Sequence, residues 1–373
     1  MGRRTHDYDI ATDATPRQVQ KLFPRVLLVG AQFGVAVVVH NKQTAEVATF
    51  RTDLSYSDGR RPDSVRFSSP REDAERRDFT INGMFYDPIA DELIDYVGGQ
   101  KDLKHRIIRT IGPPDKRLAD DYLRMLRAVR FAGKFGFAID PTTAGAIVRH
   151  AARIGNVSGE RVFDELSRML SLPSAKESFE LLAELGLAQQ VLAELFDRDL
   201  WLSAVRRLGV VAKRKDATLA FGALLAELPA EDIRRMIRRW GAPNALLEAV
   251  LWMSRHLDDW ATADGLELCD FKRLMAHEQF DRARTLWRAR EQEATGRTTC
   301  NLRIARRAGR IDPAEVSPRP FVTGADVIAM GATEGPRVGR ILHKLYDAQL
   351  NGSLRSRRAG LAMARSLVEE MSR

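Results

Sequence analysis

The sequence predicts an α+β protein in which a mixed α/β N-terminal region is followed by a helical remainder. Apolar, β-branched runs such as "VLLVG", "GVAVVVH" and "AEVATF", separated by Gly and Asn, indicate strands within the first hundred residues. After "ELIDYVGG" these runs end, and the apolar residues of "DDYLRMLRAVRFAGKF" recur at intervals of three and four, which is typical of an amphipathic helix. Helical patterns continue to the end of the chain, with turns near Pro173, Pro243 and Pro313–Pro320.

The elements of the N-terminal region follow one another in a definite order. The stretch "DYDIAT" is predicted to be a strand, after which Thr15 and Pro16 supply the N-cap and first residue of a helix through "RQVQKLF". The three apolar strands come next, and the polar segment "RTDLSYSDGRRPDSVRF" interrupts the strand pattern. The stretch "DYVGGQKDL" is typical of a strand-to-helix turn, with Gly98 and Gly99 as a hinge and Asp102 near the helix N-cap.

These patterns divide the chain into four predicted segments. The stretch "RIDPAEVSPRPFVTG" is the best candidate for a linker, because it combines prolines with polar residues. The segments are an α/β head at 1–97, a helical neck at 98–170, a helical body at 171–310 and a C-terminal helical tail at 311–373.

Composition and charge narrow the classes of function. The chain has 373 residues, 44% hydrophobic and 29% charged, and no apolar run approaches the roughly 20 residues that a membrane span needs. With 59 basic and 50 acidic residues the net charge is +9, which favours a polyanionic partner, nucleic acid before membrane. Two cysteines give neither a disulfide framework nor zinc spacing, and no secretion signal is visible, so we expect a cytoplasmic protein.

Two aspartates, Asp7 and Asp9, lie one residue apart in the first predicted strand. Because the side chains of a strand alternate between its faces, the two carboxylates point to the same side, about 7 Å apart along the backbone. Such carboxylates repel each other unless a cation lies between them, and a hard divalent cation with oxygen ligands is the usual solution. The alternative is a surface turn, because the pattern Asp-x-Asp is common.

Further candidate groups follow the aspartates along the chain. They are Glu46 in "AEVATFR", the loop from Asp53 to Phe67, "RRDFTIN" at 76–82, "DYVGGQKDL" at 95–103 and "DDYLRMLRAVRF" at 120–131. This ordered set resembles the class II tRNA nucleotidyltransferases and bacterial poly(A) polymerases of the polymerase β superfamily. The resemblance extends from residue 1 to about 170 and is looser to about 310, and "GPRVGRILHKLYDAQLNG" is similar to the family's C-terminal helical segment. It implies a nucleotidyltransferase head followed by a helical neck, body and tail.

The resemblance also implies a reaction and a metal site. Nucleotide addition to an RNA 3′ end requires attack of a hydroxyl on an α-phosphate, and two Mg²⁺ ions can lower the pKa of that hydroxyl and neutralise charge on the departing oxygens. Asp7 and Asp9 would bridge the two ions. Glu46 would supply the third carboxylate, because "EVATFR" stands where the family carries it. The alternative for Glu46 is a solvated residue on a strand face.

In "RRDFTIN" the resemblance implies contacts to the incoming nucleotide. Arg76 or Arg77 would pair with its phosphates, while Asp78 or Asn82 would hydrogen-bond its ribose hydroxyls. The same residue types also suit a solvated helix start. For "DYVGGQKDL" we expect a mechanical role as a hinge between head and neck, and none of its residues is assigned to catalysis.

The motif "DDYLR" predicts how the base is selected. Asp121 and Arg124 are three residues apart and so are expected on one face of a single helix, where they present an acceptor beside donors. Cytosine and adenine both show an amino donor beside a ring-nitrogen acceptor, whereas uracil and guanine reverse the order and would leave buried groups unpaired. A surface ion pair is the alternative. The family usually has Glu where Asp120 stands, and Arg127 is also assigned to nucleotide binding.

The segment "DLSYSDGRRPDSVRF" matches the loop of related enzymes that switch from C to A addition. The residues that carry this match are Asp53, Tyr56, Asp58, Arg60, Arg61 and Pro62. Relatives that add only C are expected to lack the loop. Composition alone favours a disordered polar hairpin.

One part of the family's pattern has no counterpart in this sequence. A "GGxVRDxLLG"-like stretch normally precedes the Asp-x-Asp strand, and its glycines let backbone N–H groups approach the triphosphate. This chain begins at "MGRRTHDYD". We therefore expect a truncated gene model, with a fragment or a loss of activity as the alternatives.

The leading hypothesis is a CTP(ATP):tRNA nucleotidyltransferase that builds or repairs the 3′ CCA end of tRNA. Its partners would be tRNA, through the 3′ end and acceptor region, together with CTP and ATP. An enzyme that adds only A and a poly(A) polymerase are compatible with the same motifs. The alternative from another class is a catalytically impaired RNA-binding protein.

Overall fold

A computed structural model of the chain describes residues 9–28, 34–40, 43–53, 65–196 and 198–372. Contacts divide the chain into two compact units, of which the first comprises 1–217 and 234–243 and the second comprises 218–233 and 244–373. The four segments expected from the sequence stay a prediction.

All strands of the described residues belong to the first unit, whereas helices occur in both. The strands are β1 Asp9–Thr12, β2 Val26–Leu27, β3 Val35–His40, β4 Gln43–Thr49, β5 Arg51–Asp53, β6 Val65–Phe67, β7 Met84–Asp87, β8 Glu92–Asp95, β9 Ile107–Ile108 and β10 Ala138–Ile139. The helices are α1 Pro16–Leu22, α2 Pro70–Glu75, α3 Gly99–His105, α4 Pro114–Asp120, α5 Leu123–Phe135, α6 Pro141–His150, α7 Gly159–Leu170, α8 Ala175–Glu184, α9 Ala188–Val191, α10 Arg198–Val211, α11 Ala217–Leu225, α12 Ala230–Arg239, α13 Asn244–Arg255, α14 Leu268–Ala276, α15 Phe280–Thr295, α16 Thr299–Ala308, α17 Pro313–Val316, α18 Gly324–Ala329, α19 Pro336–Leu350 and α20 Arg357–Ser372. Helix α12 contributes residues to both units.

A four-stranded sheet in the order β1-β4-β3-β2 organises the N-terminal region. Strand β1 pairs in parallel with β4, and β3 pairs antiparallel with both β4 and β2. One face of the sheet is buried through Ala36, Val38 and Val47, against which Val19 of α1 packs. Glu46, the neighbour of Val47 in the chain, is exposed. The alternation of buried and exposed residues therefore fixes which face of β4 meets solvent.

Helix α1 begins as the sequence predicted. Thr15 is the N-cap and Pro16 is the first helical residue. The side-chain oxygen of Gln18 accepts hydrogen bonds from the backbone N–H and the hydroxyl of Thr15, both at 2.8 Å. This reciprocal contact is a capping box, which sets the direction in which α1 leaves β1.

The prediction that no strand follows the head was wrong, because two short strands, β9 and β10, lie after it. Strands β9 and β10 pair in parallel through Ile107 with Ala138 and Ile108 with Ile139. Each strand has only two residues, so neither can show the alternation that a sequence pattern requires. Both strands pack against α5, and this tertiary contact rather than local propensity determines their conformation.

The turn between β8 and α3 depends on Asp95. Its carboxylate accepts hydrogen bonds at 2.9 to 3.1 Å from three backbone N–H groups, those of Val97, Gly99 and Gln100. Gly98 has a φ of +78°, a conformation that favours glycine. Asp102 lies in the first turn of α3, four residues after the N-cap Gly98, so its predicted place near the N-cap is confirmed.

Asp102 also belongs to a polar network around Arg109. Its carboxylate accepts hydrogen bonds from Thr80 Oγ1 at 2.7 Å and from Arg109 Nε at 3.0 Å. Arg109 Nη1 also donates to Asp140, the N-cap of α6, at 2.5 Å. Burial by itself raises the pKa of Asp140, but the donors at the start of α6 and Arg109 outweigh it and hold that pKa below its usual value. Arg109 therefore joins α3 to α6.

The second unit is helical throughout its described residues and contains two hydrophobic clusters. One includes Phe271 of α14 with Phe280 and Trp287 of α15. The other lies in the tail and includes Ile341 and Leu345 of α19. The predicted linker "RIDPAEVSPRPFVTG" contains the short helix α17. No helix of the residues described here is long and apolar enough to cross a membrane.

The substitution Arg109→Met should lower the free energy of unfolding by about 2 kcal/mol, because it leaves the buried Asp102 and Asp140 without their cation. The pKa of Asp140 is lower in the folded than in the unfolded state. Its stabilising contribution is therefore complete above the unfolded-state pKa and disappears as the pH falls through the folded-state pKa. Urea denaturation should show a large effect of the substitution at pH 7 and a small effect at a pH below the folded-state pKa of Asp140.

Arg149→Met is the matched control for that experiment. Arg149 and its partner Asp115 have side chains that are 59% and 55% exposed, so loss of their contact should change the free energy of unfolding far less than loss of Arg109. Equal destabilisation by the two substitutions, or an Arg109→Met effect that is the same at both pH values, would contradict the network.

Candidate active site

Asp9 and Glu46 lie opposite each other across the parallel pair of β1 and β4. Residues that are paired in register on neighbouring strands point to the same face of a sheet, and the strands lie about 4.8 Å apart. Both residues are exposed. The structure thus brings two of the predicted catalytic carboxylates together on the solvent-facing side of the sheet.

The donor set at this position fits a hard divalent cation, which prefers carboxylate oxygens. Asp7, the remaining predicted ligand, lies outside the described residues. Within the described part of the chain, no group of three or more His, Cys, Asp or Glu side chains could hold a metal ion. Asp9 and Glu46 therefore suit a site that is completed by further oxygen ligands, such as Asp7, water or substrate phosphate.

The two arginines of "RRDFTIN" share one buried carboxylate, that of Asp73 in α2. Asp73 is 2% exposed. Its Oδ1 accepts hydrogen bonds from Nε and Nη2 of Arg76 at 3.0 and 2.7 Å, and its Oδ2 accepts from Nε and Nη2 of Arg77 at 3.1 and 2.9 Å. Two cations therefore lie beside one anion. Guanidinium groups placed side by side in this way suit a phosphate ligand.

Asp78 is the centre of a second group of predicted nucleotide-binding residues. It is 8% exposed and pairs with Arg127 Nη2 at 2.6 Å. It also accepts hydrogen bonds from Asn82 Nδ2 at 3.0 Å and from the Phe79 N–H at 2.8 Å. Burial by itself raises the pKa of Asp78, but Arg127 and these hydrogen bonds outweigh it and keep the pKa below its usual value. Asp78 is therefore ionised at neutral pH and can only accept hydrogen bonds.

Two side chains on one face of α7 form ion pairs with Arg127 and Asp121. Glu165, at 3% exposure, pairs with Arg130 Nε at 2.5 Å and with Arg127 Nη1 at 3.8 Å. Arg161 donates to the two carboxylate oxygens of Asp121 at 3.2 and 2.8 Å. Because Arg161 and Glu165 are four residues apart, they lie on the same side of the helix.

The prediction that Asp121 and Arg124 share one helix was wrong. Helix α4 ends at Asp120, Asp121 is extended with φ −160° and ψ 104°, and α5 begins at Leu123. The Asp121 carboxylate accepts a hydrogen bond from the Leu123 N–H at 3.1 Å. Aspartate side chains bind backbone N–H groups in this way in competition with helix continuation. The two residues are instead neighbours at the junction of α4 and α5.

Arg124 is held by acceptors from two other elements. It is 8% exposed, and its guanidinium donates to the Arg117 carbonyl at 2.7 Å and to the Arg76 carbonyl at 3.4 Å. Asp120, which stands where the family usually has Glu, lies 3.5 Å from Arg124. Arg117 also donates to the carbonyls of Glu75 and Arg76 at 2.5 and 3.2 Å. Two arginines therefore satisfy carbonyl groups at the C-terminal end of α2.

The predicted specificity loop is described only at its stem. Strands β5 and β6 pair antiparallel from Arg51 with Phe67 to Asp53 with Val65. The other predicted loop residues lie outside the described part of the chain; they are Tyr56, Asp58, Arg60, Arg61 and Pro62.

The sequence prediction did not include four residues that hold the site together, namely Asp73, Arg117, Arg161 and Glu165. Asp73 precedes Arg76 and Arg77 by three and four positions, and this helical spacing of opposite charges could have indicated it. The spacing of Arg161 and Glu165 indicates a charged helix face. Their partners come from other elements of the fold, and no local pattern shows those contacts.

Two family models match parts of the chain. Residues 1–109 match the "Poly A polymerase head domain", and residues 136–198 match the "Probable RNA and SrmB- binding site of polymerase A". The CCA-adding enzyme of Geobacillus stearothermophilus is 35% identical over 364 residues, which cover 95% of this chain and 86% of that protein. The CCA-adding enzyme of Geobacillus kaustophilus is 40% identical over 261 residues, which cover 69% of this chain and 64% of that protein.

A solved structure extends the similarity to the fold. The crystal structure of the Bacillus stearothermophilus CCA-adding enzyme in complex with CTP superimposes with a TM-score of 0.76 and is 31% identical. The match covers 100% of this chain and 91% of that one. The chain therefore belongs to the family of class II tRNA nucleotidyltransferases and bacterial poly(A) polymerases.

Proposed function

We propose that this protein adds C and A to the 3′ ends of tRNA from CTP and ATP, and so builds or repairs the CCA end. The observation that carries the proposal is the pairing of Asp9 with Glu46 in a chain that aligns over 95% of its length with a CCA-adding enzyme. The cytoplasm, expected from the cysteine content, is the proposed site of action.

The other reactions of the family have weaker support. An enzyme that adds only A and a poly(A) polymerase would share the head and the base-selecting motif. The relatives that match most of this chain are CCA-adding enzymes, which favours CCA addition. A catalytically impaired RNA-binding protein would bind tRNA without extending it. Gel extension combined with filter binding distinguishes such a protein from an active enzyme.

Nucleotidyltransferases of this family use divalent metal, and we propose two Mg²⁺ ions held by Asp7, Asp9 and Glu46. The two carboxylates within the described residues are adjacent and exposed, as ligands to a solvent-accessible ion must be. When bound, the ions would lower the pKa of the tRNA 3′ hydroxyl and neutralise charge on the departing pyrophosphate.

The residues of "RRDFTIN" would orient the incoming nucleotide. Arg76 and Arg77 lie together on Asp73 and would bind the phosphates through charge-assisted hydrogen bonds. Asp78 is kept ionised by Arg127, so a ribose hydroxyl would donate to it, and Asn82 lies 3.0 Å from the same carboxylate. Separate side chains would thus bind the sugar and the phosphates of the nucleotide.

Asp121 and Arg124 would select the base from the junction of α4 and α5. Asp121 is held by Arg161, and Arg124 is held by backbone carbonyls and Asp120. Because both groups are fixed before the nucleotide arrives, a base with the reversed order of donors and acceptors would leave polar groups unpaired.

The substitutions Asp9→Asn and Glu46→Gln should each reduce addition of C to tRNA by about a hundredfold or more, because each removes a ligand of the metal site. The same result is expected for Asp7→Asn. Binding of tRNA should stay near the wild-type level. Gel extension of tRNA that ends before CCA, combined with filter binding, measures both quantities. Glu92→Gln, which alters an exposed carboxylate on β8, is the control; full extension by Asp9→Asn or Glu46→Gln would refute the site.

Deletion of residues 54–64, the part of the specificity loop between β5 and β6, should stall products at CC. The change from C to A requires the base-selecting groups to shift, and the loop is proposed to support that shift. Single-nucleotide resolution of the extension products measures where they stop. Equal loss of C and A addition would argue against a specific role in the switch.

Arg124→Ala and Asp121→Ala should each weaken discrimination of CTP and ATP against UTP and GTP, because one side of the base-recognition pair is lost. The double substitution should be less than additive, since both residues serve one base. The measurement is kcat/KM for each nucleotide on tRNA ending before CCA and on tRNA ending in CC. Unchanged nucleotide ratios in both single variants, with unchanged thermal stability, would eliminate selection by this pair.

A further inference from the structure

Asp73 connects the two arginines of "RRDFTIN" to the stem of the specificity loop. Besides the four hydrogen bonds from Arg76 and Arg77, its Oδ1 accepts one from the backbone N–H of Arg51, the first residue of β5, at 3.2 Å. Arg76 Nε in turn donates to the Arg51 carbonyl at 2.9 Å. The backbone N–H and carbonyl of one loop-stem residue are therefore both bound by this ion-pair group.

The geometry fixes the orientation of both guanidinium groups. Each arginine directs both Nε and Nη2 at a single Asp73 oxygen, Oδ1 for Arg76 and Oδ2 for Arg77, and two N–H groups that share one acceptor fix the direction in which the guanidinium edge points. Arg77 is fixed further by Phe85, whose ring centroid lies 4.8 Å from the guanidinium carbon, and Phe85 packs edge-on against Phe50 beside β5. Without Asp73, two like charges on adjacent residues would repel each other.

A carboxylate that is 2% exposed is costly to bury, and its pairing with two arginines offsets that cost. A contact that served only to attach α2 to β5 could be made by one ion pair or by apolar residues. The recruitment of two adjacent arginines to one carboxylate places two guanidinium groups side by side, which suits a polyphosphate ligand.

We propose that Asp73 is a positioning residue for the triphosphate of the incoming nucleotide. It holds Arg76 and Arg77 in the orientation that binds phosphate, and its hydrogen bond with the backbone of Arg51 connects both arginines to β5. This inference rests on the proposed function, because it assumes that a nucleoside triphosphate occupies the site. Asp73 itself contacts no substrate in this proposal and acts through the arginines.

The test compares the binding of CTP with that of cytidine, which lacks the phosphates, to the full chain carrying Asp73→Asn. The amide keeps only one acceptor oxygen, so one of the two arginines loses the oxygen that its Nε and Nη2 share. The dissociation constant of CTP should rise by about tenfold or more, while that of cytidine should stay unchanged. Ligand-observed NMR titration in the presence of Mg²⁺ measures both constants without catalysis. Steady-state extension should show the same effect as a raised KM for CTP and ATP with a smaller change in kcat.

The control is Asp115→Asn, which removes an exposed carboxylate that likewise accepts hydrogen bonds from Nε and Nη2 of an arginine, Arg149. It should leave both dissociation constants unchanged. If Asp73→Asn does not fold, Asp73→Glu keeps the charge but displaces the carboxylate by one methylene, and it should also weaken CTP more than cytidine. Equal weakening of the two ligands, or no weakening of either, would overturn the proposal. If the wild-type chain fails to extend tRNA, the proposed function is contradicted. The role of Asp73 in triphosphate binding would still be supported if Asp73→Asn weakened CTP binding and left cytidine binding unchanged.

Discussion

The parallel pairing of β1 with β4 is the constraint on which the site depends. Its register places Asp9 beside Glu46 on the exposed face, while Val47, the next residue of β4, belongs to the buried cluster with Val19. A shift of β1 by one residue would place Asp9 beside Val47 and turn its carboxylate toward that apolar cluster, at a large desolvation cost. The burial of a few valines therefore fixes the position of the two carboxylates that we propose as metal ligands.

Hydrogen bonds and ion pairs connect the four-stranded sheet to β5 and α2. Strand β4 leads directly into Phe50, whose backbone N–H donates to the Thr12 carbonyl at the end of β1, and then into Arg51, which Asp73 and Arg76 bind. Buried ion pairs contribute little net stability, but a broken pair is costly, so each pair restricts the positions that its elements can adopt. The proposed catalytic carboxylates and the proposed phosphate-binding arginines are thereby linked through one short stretch of backbone.

The parts of the fold that the sequence predicted are those encoded locally. Thr15 and Pro16 start α1 because the capping box is a short-range pattern, and the apolar, β-branched run "AEVATF" forms the predicted strand, β4. The break at Asp121 was not predicted, because spacing alone does not distinguish a continuous helix from two helices that meet at a capping aspartate. The two-residue strands β9 and β10 and the partners of Asp102 depend on contacts between distant segments, which no local pattern contains.

The central claim is that Asp9 and Glu46 act together as ligands of one divalent metal site. Electron paramagnetic resonance of Mn²⁺ titrated into the protein with CTP measures bound metal directly and does not depend on catalysis. Asp9→Asn and Glu46→Gln should each weaken Mn²⁺ binding to a similar extent, because both carboxylates lie on the same face of the paired strands. Wild-type Mn²⁺ affinity in Glu46→Gln would contradict the claim, since the register of β1 and β4 would then have no part in holding the metal.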